Sequence, residues 1–501
     1  WFFIIGLSQE NGAALDLLGI TDTSMLRPQV FALQEGEATI GLIASERQAI
    51  DACLESLSGA DKRFVAKADI YWNARGGSFT DGGAFAFKLR KNAQGYGFEC
   101  RNKFGGAVEI PEKATVRAIT QSICSVVGWR SGPGMLTSVF KDAASFEQGV
   151  ETLVAFVGQD HGKRVETFEA LSWLLDNWHL TAAGKNGRER AVLESAINTL
   201  LRGFSALSAG GADAWVLISA ATRKDLRNPK GNEEVLAVDV SGFAPEGDDS
   251  AALFIVKAYR LGWRRVVAFA WRGQRFCGSG LGASSGGFRI DTYGNPGDYL
   301  GSGLDGAHLY VHGAAQDQLA QIMKSGKLVI YGDVGQAFMY GAKGGDVYIL
   351  GNAAGRPLIN AVGKPKVVIN GTCLDYLAES FMAGKPEEGG GYVIVNGMAY
   401  DGEGRARPLA LPYPGSNLLS LASGGAIFVR DPKNSVTEDQ LNGGRIIAVT
   451  GKDKRLAWPH LEENERLFGV RIKEDLLIAG VNQVLDWTQA YRRVEPSREH
   501  V

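Results

Sequence analysis

Residues 325–351 read SGKLVIYGDVGQAFMYGAKGGDVYILG and belong to a repeat that runs through residues 288–397. Each unit of the repeat closes on a glycine, and the six closing glycines are 19, 19, 19, 20 and 26 residues apart. A near-constant period of this kind indicates a stacked, repetitive architecture. The closing glycines are Gly294, Gly313, Gly332, Gly351, Gly371 and Gly397.

The residues before each closing glycine follow a strand pattern. Two and four residues earlier the chain is aliphatic, apart from one threonine, and five residues earlier it is mostly charged or polar. Because side chains on a strand alternate between two faces, the pattern predicts one apolar column and a solvated flanking position. The column comprises Ile290, Thr292, Leu309, Val311, Leu328, Ile330, Val347, Ile349, Val367, Ile369, Val393 and Val395. The flanking position holds Arg289, His308, Lys327, Asp346, Lys366 and Tyr392.

The length of the repeat decides which stacked fold it forms. A strand, a covering helix and a return strand need about 30 residues, whereas about 19 residues suffice for one coil of a β-solenoid. Glycine at the corner of a coil permits a positive φ and close approach of two backbones. The repeat therefore predicts a right-handed parallel β-helix over residues 286–452.

Several differently spaced glycine motifs accompany the repeat. They lie at residues 294–306, 332–335, 341–345 and 351–355, and the segment CLDYLAESFMAG follows at residues 373–384. These motifs resemble the carboxy-terminal domain of glutamate synthase large subunits, which is named for its glycine-x-glycine-x-glycine repeats. One of the subunits of formylmethanofuran dehydrogenase is similar. The resemblance implies a β-helix that holds other parts of an enzyme assembly.

One glycine motif inside the repeat imitates a nucleotide site. Gly301, Gly303 and Gly306 satisfy the G-x-G-x-x-G pattern, which has meaning only between a strand and a helix. Residues 307–312, AHLYVH, alternate like a strand and predict no helix there. We therefore interpret these glycines as corners of the solenoid.

Composition excludes several classes of function. The 501 residues include 55 acidic and 53 basic side chains, so no overall field favours nucleic acid or an anionic membrane. No run of 18 apolar residues occurs. The five cysteines form no C-x-x-C motif, and the six histidines are scattered, so we expect no metal and no iron–sulfur cluster in this chain. His308 and His312 share a strand face that the pattern predicts to be solvated. Nothing in the cysteine spacing implies a disulfide framework, so we expect a reducing, cytoplasmic setting.

Residues 1–110 carry a second resemblance. Asp22, then Leu-Arg27-Pro, then Ala-Ser-Glu at 44–46 are similar to the late segment of the class II glutamine amidotransferase domain of glutamate synthase. The family has Arg-Asn-Gly after the aspartate, where this chain has Thr-Ser-Met. The resemblance implies glutamine as substrate and an amino-terminal cysteine as nucleophile. Since the sequence opens on Trp1, we expect its true beginning to lie upstream and the chain as given to lack glutaminase activity.

A glycine-rich loop at residues 71–83 is the other candidate binding element. Arg75 and Asp81, together with backbone N–H groups, could line a substrate pocket. The alternative is a tight connection in which Arg75 forms a structural ion pair. Strands are expected at residues 2–7, at the end of 19–33, at 40–46 and at 84–87.

The remaining segments complete the domain organisation. Residues 111–207 have helical spacing at 116–127, 146–157, 161–178 and 188–204, and 208–213 form a linker. Residues 214–285 read as a small α/β segment with strands at 235–240 and 265–270 around a helix at 249–261, which Asp248 or Asp249 would cap. An extended strap at 405–414 and coils at 426–430 and 445–450 follow. Helices at 461–468 and 474–492, within a last segment at 453–501, would cap the solenoid.

Two functions of different class fit these features. In the first, the chain is a subunit of a glutamate synthase-type complex, with FMN and an iron–sulfur cluster on a flavin-containing partner subunit, because no flavin barrel is encoded here. In the second, it is a non-catalytic scaffold of a related oxidoreductase, similar to N-methylglutamate synthase or to the formylmethanofuran dehydrogenase subunit with the same repeats. The predicted sites are Asp22, Arg27, Arg75 and Asp81 for substrate, and the solenoid glycines for structure.

Overall fold

The computed structural model describes residues 2–3, 30–35, 38–44, 85–92, 95–102, 107–108, 146–157, 160–180, 187–209, 213–401, 404–479 and 483–497. The chain divides into two units, residues 1–112 with 185–188 and residues 113–184 with 189–501.

The described part of the first unit consists of antiparallel strands. One sheet has the order β1-β4-β5-β6, and β2 and β3 form a separate hairpin. The strands predicted after the turn, at 40–46 and at 84–87 are confirmed as β2, β3 and β4. The bounds are β1 Phe2–Phe3, β2 Val30–Glu35, β3 Ala38–Ala44, β4 Phe85–Asn92, β5 Gly95–Asn102 and β6 Ala107–Val108.

Three helices open the described part of the second unit where helical spacing predicted them. They are α1 Phe146–Val157, α2 His161–Asp176 and α3 Gly187–Arg202, and the helix expected at 116–127 lies outside the described residues. Asp160 caps α2, since its carboxylate accepts a hydrogen bond from the backbone N–H of Lys163. Apolar side chains of these helices, including Phe168, Leu171 and Ile197, form a core with Trp215 and Phe269 of the sheet.

Strands β7 Ser205–Ala206, β8 Trp215–Ser219, β9 Val235–Asp239 and β10 Arg265–Arg272 run parallel, with helix α4 Ala251–Arg260 between the last two. The predicted β-α-β unit is confirmed, but β8 was missed. The predicted cap of α4 was wrong. Ser250 caps the helix through its hydroxyl, which accepts from the N–H of Leu253, because the chain turns into the helix one residue later than expected.

The repeat forms the centre of a 13-stranded sheet of order β20-β23-β19-β16-β15-β14-β13-β12-β11-β10-β9-β8-β7. From β7 to β19 all neighbours are parallel. Leu309 pairs with Leu328, Val347 and then Val367 in the register that the spacing predicts, and the apolar column is buried. The strands are β11 Arg289–Asn295, β12 Asp305–Val311, β13 Ser325–Ile330, β14 Asp346–Ile349, β15 Lys366–Ile369 and β16 Tyr392–Val395.

A second set of parallel contacts stacks the same coils at another side. Single β-bridges join Ala315 to Val334, Val334 to Ala353 and Ala353 to Cys373, and all four residues are fully buried. A large, mostly parallel sheet with a second parallel ladder is compatible with a solenoid.

A third side of each coil is built from residues in the left-handed region. Within five consecutive residues, the first, third and fifth have a φ between +52° and +85°. This triplet recurs in seven coils. In the third coil, the central Ala320 donates its N–H to Leu300 of the preceding coil, whereas Gln318 and Ile322 donate to the following coil. The triplets are 276/278/280, 299/301/303, 318/320/322, 337/339/341, 356/358/360, 376/378/380 and 417/419/421.

Glycine occupies both the second and the third triplet position only in the first two coils, at Gly278, Gly280, Gly301 and Gly303. A left-handed non-glycine residue costs about 1–2 kcal/mol. Burial of the central side chain, for example Ala320 or Leu358, together with the inter-coil hydrogen bonds offsets this cost in the later coils. The G-x-G-x-x-G glycines therefore lie in and after a triplet and, as predicted, lead into strand β12.

The face opposite the apolar column is packed, so the prediction of a solvated flank was wrong. Tyr392 is buried, and the other flanking residues are half-buried. Helix α5, Gly451–Phe468, lies against this face through Leu461 and Phe468. Sequence periodicity identified the inner column but carried no information about the helix that covers the other side.

The carboxy-terminal elements differ most from expectation. Strand β19 Ala426–Arg430 adds a parallel strand where a further coil was predicted. Strand β20 Gly444–Ala448 is instead antiparallel to β23 Tyr491–Pro496, which itself pairs antiparallel with β19. The predicted helix at 474–492 is instead a π-turn at Ile472–Leu476, a hairpin of β21 Ile478–Ala479 and β22 Gln483–Val484, and the short helix α6 Trp487–Ala490. The strap predicted at 405–414 contains the short strand β18 Ala406–Pro408, which pairs antiparallel with β17 Met398–Tyr400. Strand β23, rather than a helix, closes the parallel ladder, because it pairs with the exposed edge of β19.

Candidate functional site

The four residues predicted to bind substrate, Asp22, Arg27, Arg75 and Asp81, lie outside the described residues. Their role as a glutamine site stays a prediction. The site that can be built from described side chains lies on the covered face of the sheet.

The closing glycines bring successive coils close together at one corner of this sheet. A Cβ on Gly371 would lie 2.7 Å from the carbonyl oxygen of Gly351, and one on Gly332 would lie 2.8 Å from backbone atoms of Gly313. Neither glycine has a positive φ. Lack of space for a side chain, rather than φ, therefore requires glycine at these two positions.

The residue just before each closing glycine points to the covered face, where a charged cluster forms around His312. The ring Nδ1–H of His312 donates to Asp176 Oδ1 at 2.7 Å, and the Nε2–H donates to Asp291 Oδ1 at 3.3 Å. His312 is only 4% exposed and Asp291 is fully buried. Asp176 is the last residue of α2, so the cluster ties that helix to strands β11 and β12.

Three arginines complete the cluster. The Arg289 guanidinium contacts both oxygens of Asp291, at 2.6 Å and 3.0 Å, and Arg265 Nε donates to Asp291 Oδ2 at 3.2 Å. On the other side, Arg190 of α3 donates to the backbone oxygen of His312 at 3.2 Å. A buried carboxylate that accepts hydrogen bonds from three cations is stable only in its ionised form.

The hydrogen bonds set the charge states of the cluster. Both nitrogens of His312 face carboxylate oxygens, so both carry hydrogen, and the two carboxylates raise the pKa of His312 to about 9 against the effect of burial. His312 and Arg289 hold the pKa of Asp291 far below its usual range although burial acts in the opposite direction. Burial raises the pKa of Asp176, and His312 offsets part of this rise.

Aromatic rings stack on the imidazolium from both neighbouring coils. Tyr293 lies parallel to His312 with ring centres 4.1 Å apart, and Tyr331 lies on the other side at 5.4 Å. The Tyr293 hydroxyl is 2.6 Å from Ser172 Oγ on α2. A cation between two aromatic faces is further stabilised.

The cluster contains a serine, a histidine and aspartates, the residue types of a catalytic triad, but they cannot carry out its proton transfer. His312 is already protonated and both its nitrogens are occupied, so it cannot accept a proton as a general base. Burial raises the pKa of Tyr293 well above its ordinary value, and the Ser172 hydroxyl contacts this tyrosine rather than the histidine. The cluster acts as a buried electrostatic clamp that positions α2 and α3 on the sheet.

Further along the covered face, a network of buried asparagine side chains takes the place of the charged cluster. Asn370 of the sheet exchanges hydrogen bonds of 2.8 Å and 2.9 Å with Asn464, which lies on α5. Asn396 donates a further hydrogen bond to Asn370 at 2.8 Å. The hydroxyl of Tyr491 donates to Asn396 at 2.8 Å. All three asparagines are fully buried, so the network fixes the position of α5 along the stack.

Charged and aromatic side chains at the edge of this face also hold α5. Lys327 pairs with Glu463, which Arg466 contacts from the same helix. Arg466 and Lys327 together hold the pKa of Glu463 at about 2. The hydroxyl of Tyr348 lies 3.0 Å from Nδ1 of His460, and burial lowers the pKa of this histidine.

Sequence reasoning missed this face because it interpreted His312 as solvated. The available signal was the residue before each closing glycine, since aromatic and amide side chains there suit a covered surface better than an exposed one. That position holds Tyr293, His312, Tyr331, Leu350, Asn370 and Asn396.

Metal and membrane functions find no support in the described ranges. Among the described residues, no group of three or more His, Cys, Asp or Glu side chains has an arrangement that could hold a metal ion. Cys277 and Cys373 are buried free thiols whose pKa is raised by burial. None of the helices in these ranges combines the length and apolar character that a membrane crossing requires.

Comparison with known families identifies the stacked region. Residues 268–461 match the GXGXG motif family. The matched GXGXG region begins in β10 and ends within α5, so it contains the whole parallel stack from β11 to β19 and most of the helix that covers it. The GXGXG motif is found in glutamate synthase. No curated protein matches the chain.

Proposed function

We propose that this chain is a subunit of a glutamate synthase-type complex, in which glutamine supplies nitrogen for amino transfer to a 2-oxo acid. Its GXGXG region would be a right-handed parallel β-helix that serves as a rigid scaffold. Residues 1–110 would be the late part of a glutamine amidotransferase domain. The observation that carries the proposal is the coincidence of the GXGXG match with the stack of parallel strands.

The packing supports a scaffold role. The inner column is apolar, the opposite face is fixed by the His312 clamp and by the asparagine network, and successive coils are joined by hydrogen bonds on several sides. Stacks of this kind are stiff and present long lateral surfaces to which other subunits can dock.

The redox chemistry would belong to a partner. We propose that FMN and an iron–sulfur cluster lie on a flavin-containing subunit, because the described residues provide no cysteine set for a cluster and His312 is not available as a base. Reduced, buried thiols at Cys277 and Cys373 are consistent with a cytoplasmic assembly.

Co-expression tests this proposal. The chain would be produced alone and together with the flavin-containing subunit of a glutamate synthase-type enzyme, and both samples would be analysed by gel filtration with absorption at about 280 and 450 nm, where protein and flavin absorb. We expect a colourless chain and a yellow complex that contains both proteins. A flavin or iron–sulfur spectrum from the chain alone would contradict the proposal. Failure to bind the flavin subunit would leave the scaffold of a related oxidoreductase as the better account.

A further inference from the structure

A row of polar side chains crosses the covered face of the sheet, with one residue on each neighbouring strand. Arg289 of β11 is the Cα partner of His308 of β12, which in turn is the partner of Lys327 of β13. Neighbouring parallel strands are about 4.8 Å apart, so two cations flank His308 at about that backbone distance. All three side chains are half-buried.

Tyr310 lies beside this row on the same strand as His308. Because it follows His308 by two residues, its side chain is on the same face of the sheet. The Arg289 guanidinium lies over its ring, with the guanidinium carbon 4.1 Å from the ring centre. The Tyr310 hydroxyl forms no hydrogen bond with a described residue. It can therefore donate one to a bound molecule.

A third cation reaches the same place from helix α5. Arg466 and Lys327 contact the same carboxylate oxygen of Glu463. Arg466 is also close to Tyr310, since the phenol contributes to the raised pKa of the guanidinium after the larger effect of Glu463. The name basic patch is used below for Arg289, His308, Tyr310, Lys327 and Arg466.

Both arginines of the basic patch retain unused hydrogen-bond donors. Arg289 contacts Asp291 through Nε and Nη2, and Arg466 contacts Glu463 through the same two nitrogens. No described residue accepts a hydrogen bond from Nη1 of either arginine, or contacts the ring nitrogens of His308. Because the carboxylates already hold the two guanidinium groups in place, binding a further anion through Nη1 orders fewer side chains.

The charges around the basic patch do not balance. Among the described residues, the row from β10 to β15 and the side chains joined to it by ion pairs carry two more cations than carboxylates. The cations are Arg265, Arg289, His312, Lys327, Lys366 and Arg466, and the carboxylates are Asp176, Asp291, Asp346 and Glu463. Half-buried charges are screened less than exposed ones, so this excess attracts anions.

We propose that the basic patch binds the phosphate group of a small phosphorylated molecule. The proposal does not depend on which assembly the chain belongs to. A phosphate monoester has a charge of about −1.5 to −2 near pH 7 and three strong acceptor oxygens, which matches both the excess charge and the unused donors. Guanidinium and ammonium groups bind phosphate through short, charge-assisted hydrogen bonds. A single carboxylate would neutralise only half of the excess.

The experiment measures binding of inorganic phosphate and of glycerol 3-phosphate to the full chain by isothermal titration calorimetry. The pH is about 7.5, where phosphate is mostly dianionic, and chloride keeps the ionic strength constant. We expect dissociation constants of about 1 mM or less for both probes. Succinate, whose two charges lie on separate carboxylates, should bind about fivefold more weakly.

Single substitutions locate the binding site. Arg466→Gln removes one cation of the basic patch and should weaken phosphate binding by about tenfold. Arg445→Gln is the matched control, because Arg445 is similarly exposed and also contacts one carboxylate, that of Glu495, through Nε and Nη2. It should change the dissociation constant by less than about twofold. Tyr310→Phe removes only a hydroxyl and should weaken binding by about threefold without lowering the melting temperature.

Several results would overturn the proposal. A dissociation constant above about 10 mM for both phosphate probes would show that the excess charge selects no phosphate. Equal losses for Arg466→Gln and Arg445→Gln would assign binding to the overall charge of the protein. Tighter binding of succinate, with the same dependence on Arg466 and Tyr310, would assign the patch to dicarboxylates. If Arg466→Gln proves unstable, unchanged phosphate binding by Tyr310→Phe contradicts the proposal on its own.

Discussion

His312 and Asp176 are 136 residues apart in the chain, yet their Nδ1 and Oδ1 atoms are 2.7 Å apart in the folded protein. Asp176 ends a helix and His312 follows a strand of the stack, so this ion pair joins the helical layer to the sheet. The pair is buried and His312 also contacts Asp291, so the charged form of each residue is stabilised by the opposite charge beside it.

Replacing His312 by glutamine should destabilise the fold. The change leaves Asp176 and Asp291 buried without the cation between them, and breaking such a buried pair costs roughly 3–5 kcal/mol. His308→Gln removes a half-buried histidine that lies beside Arg289 on the neighbouring strand but makes neither of the two carboxylate contacts of His312, so it should cost less than about 1 kcal/mol. Urea unfolding of the three proteins, followed by tryptophan fluorescence, measures the difference. Similar midpoints for His312→Gln and the unchanged chain would contradict the clamp.

The clamp also predicts how stability depends on pH. The pKa of His312 rises from 6.5 to about 9 on folding, so the folded state binds the proton more tightly than the unfolded state. The resulting stabilisation, of about 3 kcal/mol, is complete below a pH of about 6.5 and is lost as the pH rises to about 9. On the acid side, the lowered pKa of Asp291 makes its contribution fall as the pH drops below its ordinary range near 3.8. Melting temperatures from about pH 6 to about pH 9.5 should fall more steeply for the unchanged chain than for His312→Gln.

A charge in the apolar column should prevent folding of the stack. Ile330 is fully buried between Val311 and Ile349, and an aspartate there would be an unpaired buried charge that costs several kcal/mol, about 3–5. Lys343→Glu, which places a charge at an exposed position, is the matched control and should fold normally. Lys327 is unsuitable for this purpose because it pairs with Glu463. Circular dichroism distinguishes the outcomes, and a native β-signal from Ile330→Asp would show that the inner column is assigned wrongly.

Two glycines should respond differently to alanine. At Gly371 the new Cβ would lie 2.7 Å from the backbone of the preceding coil, so the coils must separate, at a cost of about 3 kcal/mol. At Gly303 the φ is +68° but nothing lies within 4 Å, so only the left-handed conformation is penalised, by about 1–2 kcal/mol. Thermal melting of Gly371→Ala and Gly303→Ala provides the comparison. A larger loss at Gly303 than at Gly371 would mean that the space between coils does not require glycine at the closing corner.

The candidate site was less predictable than the fold around it. The apolar column from Ile290 to Val395 was predictable because each of its strands pairs with a copy of itself at constant spacing, so local sequence contains the tertiary register. The clamp joins residues of a helix and of the repeat that have no common period. Nothing in the sequence near His312 indicates that Asp176 will meet it.

The sequence alone determined the parallel pairing of the strands, their register and the inward face, because these follow from a period of about 19 residues and from the alternation of side chains along a strand. Only the tertiary structure decided what covers the opposite face. Helix α5 and the end of α2 approach from segments outside the repeat, and their contacts turn positions that look solvated into buried charges and amides. The left-handed triplets were likewise decided by the tertiary structure. Once glycine is replaced by residues such as Ala320 or Leu358, burial and hydrogen bonds from neighbouring coils, rather than the residues themselves, impose the positive φ.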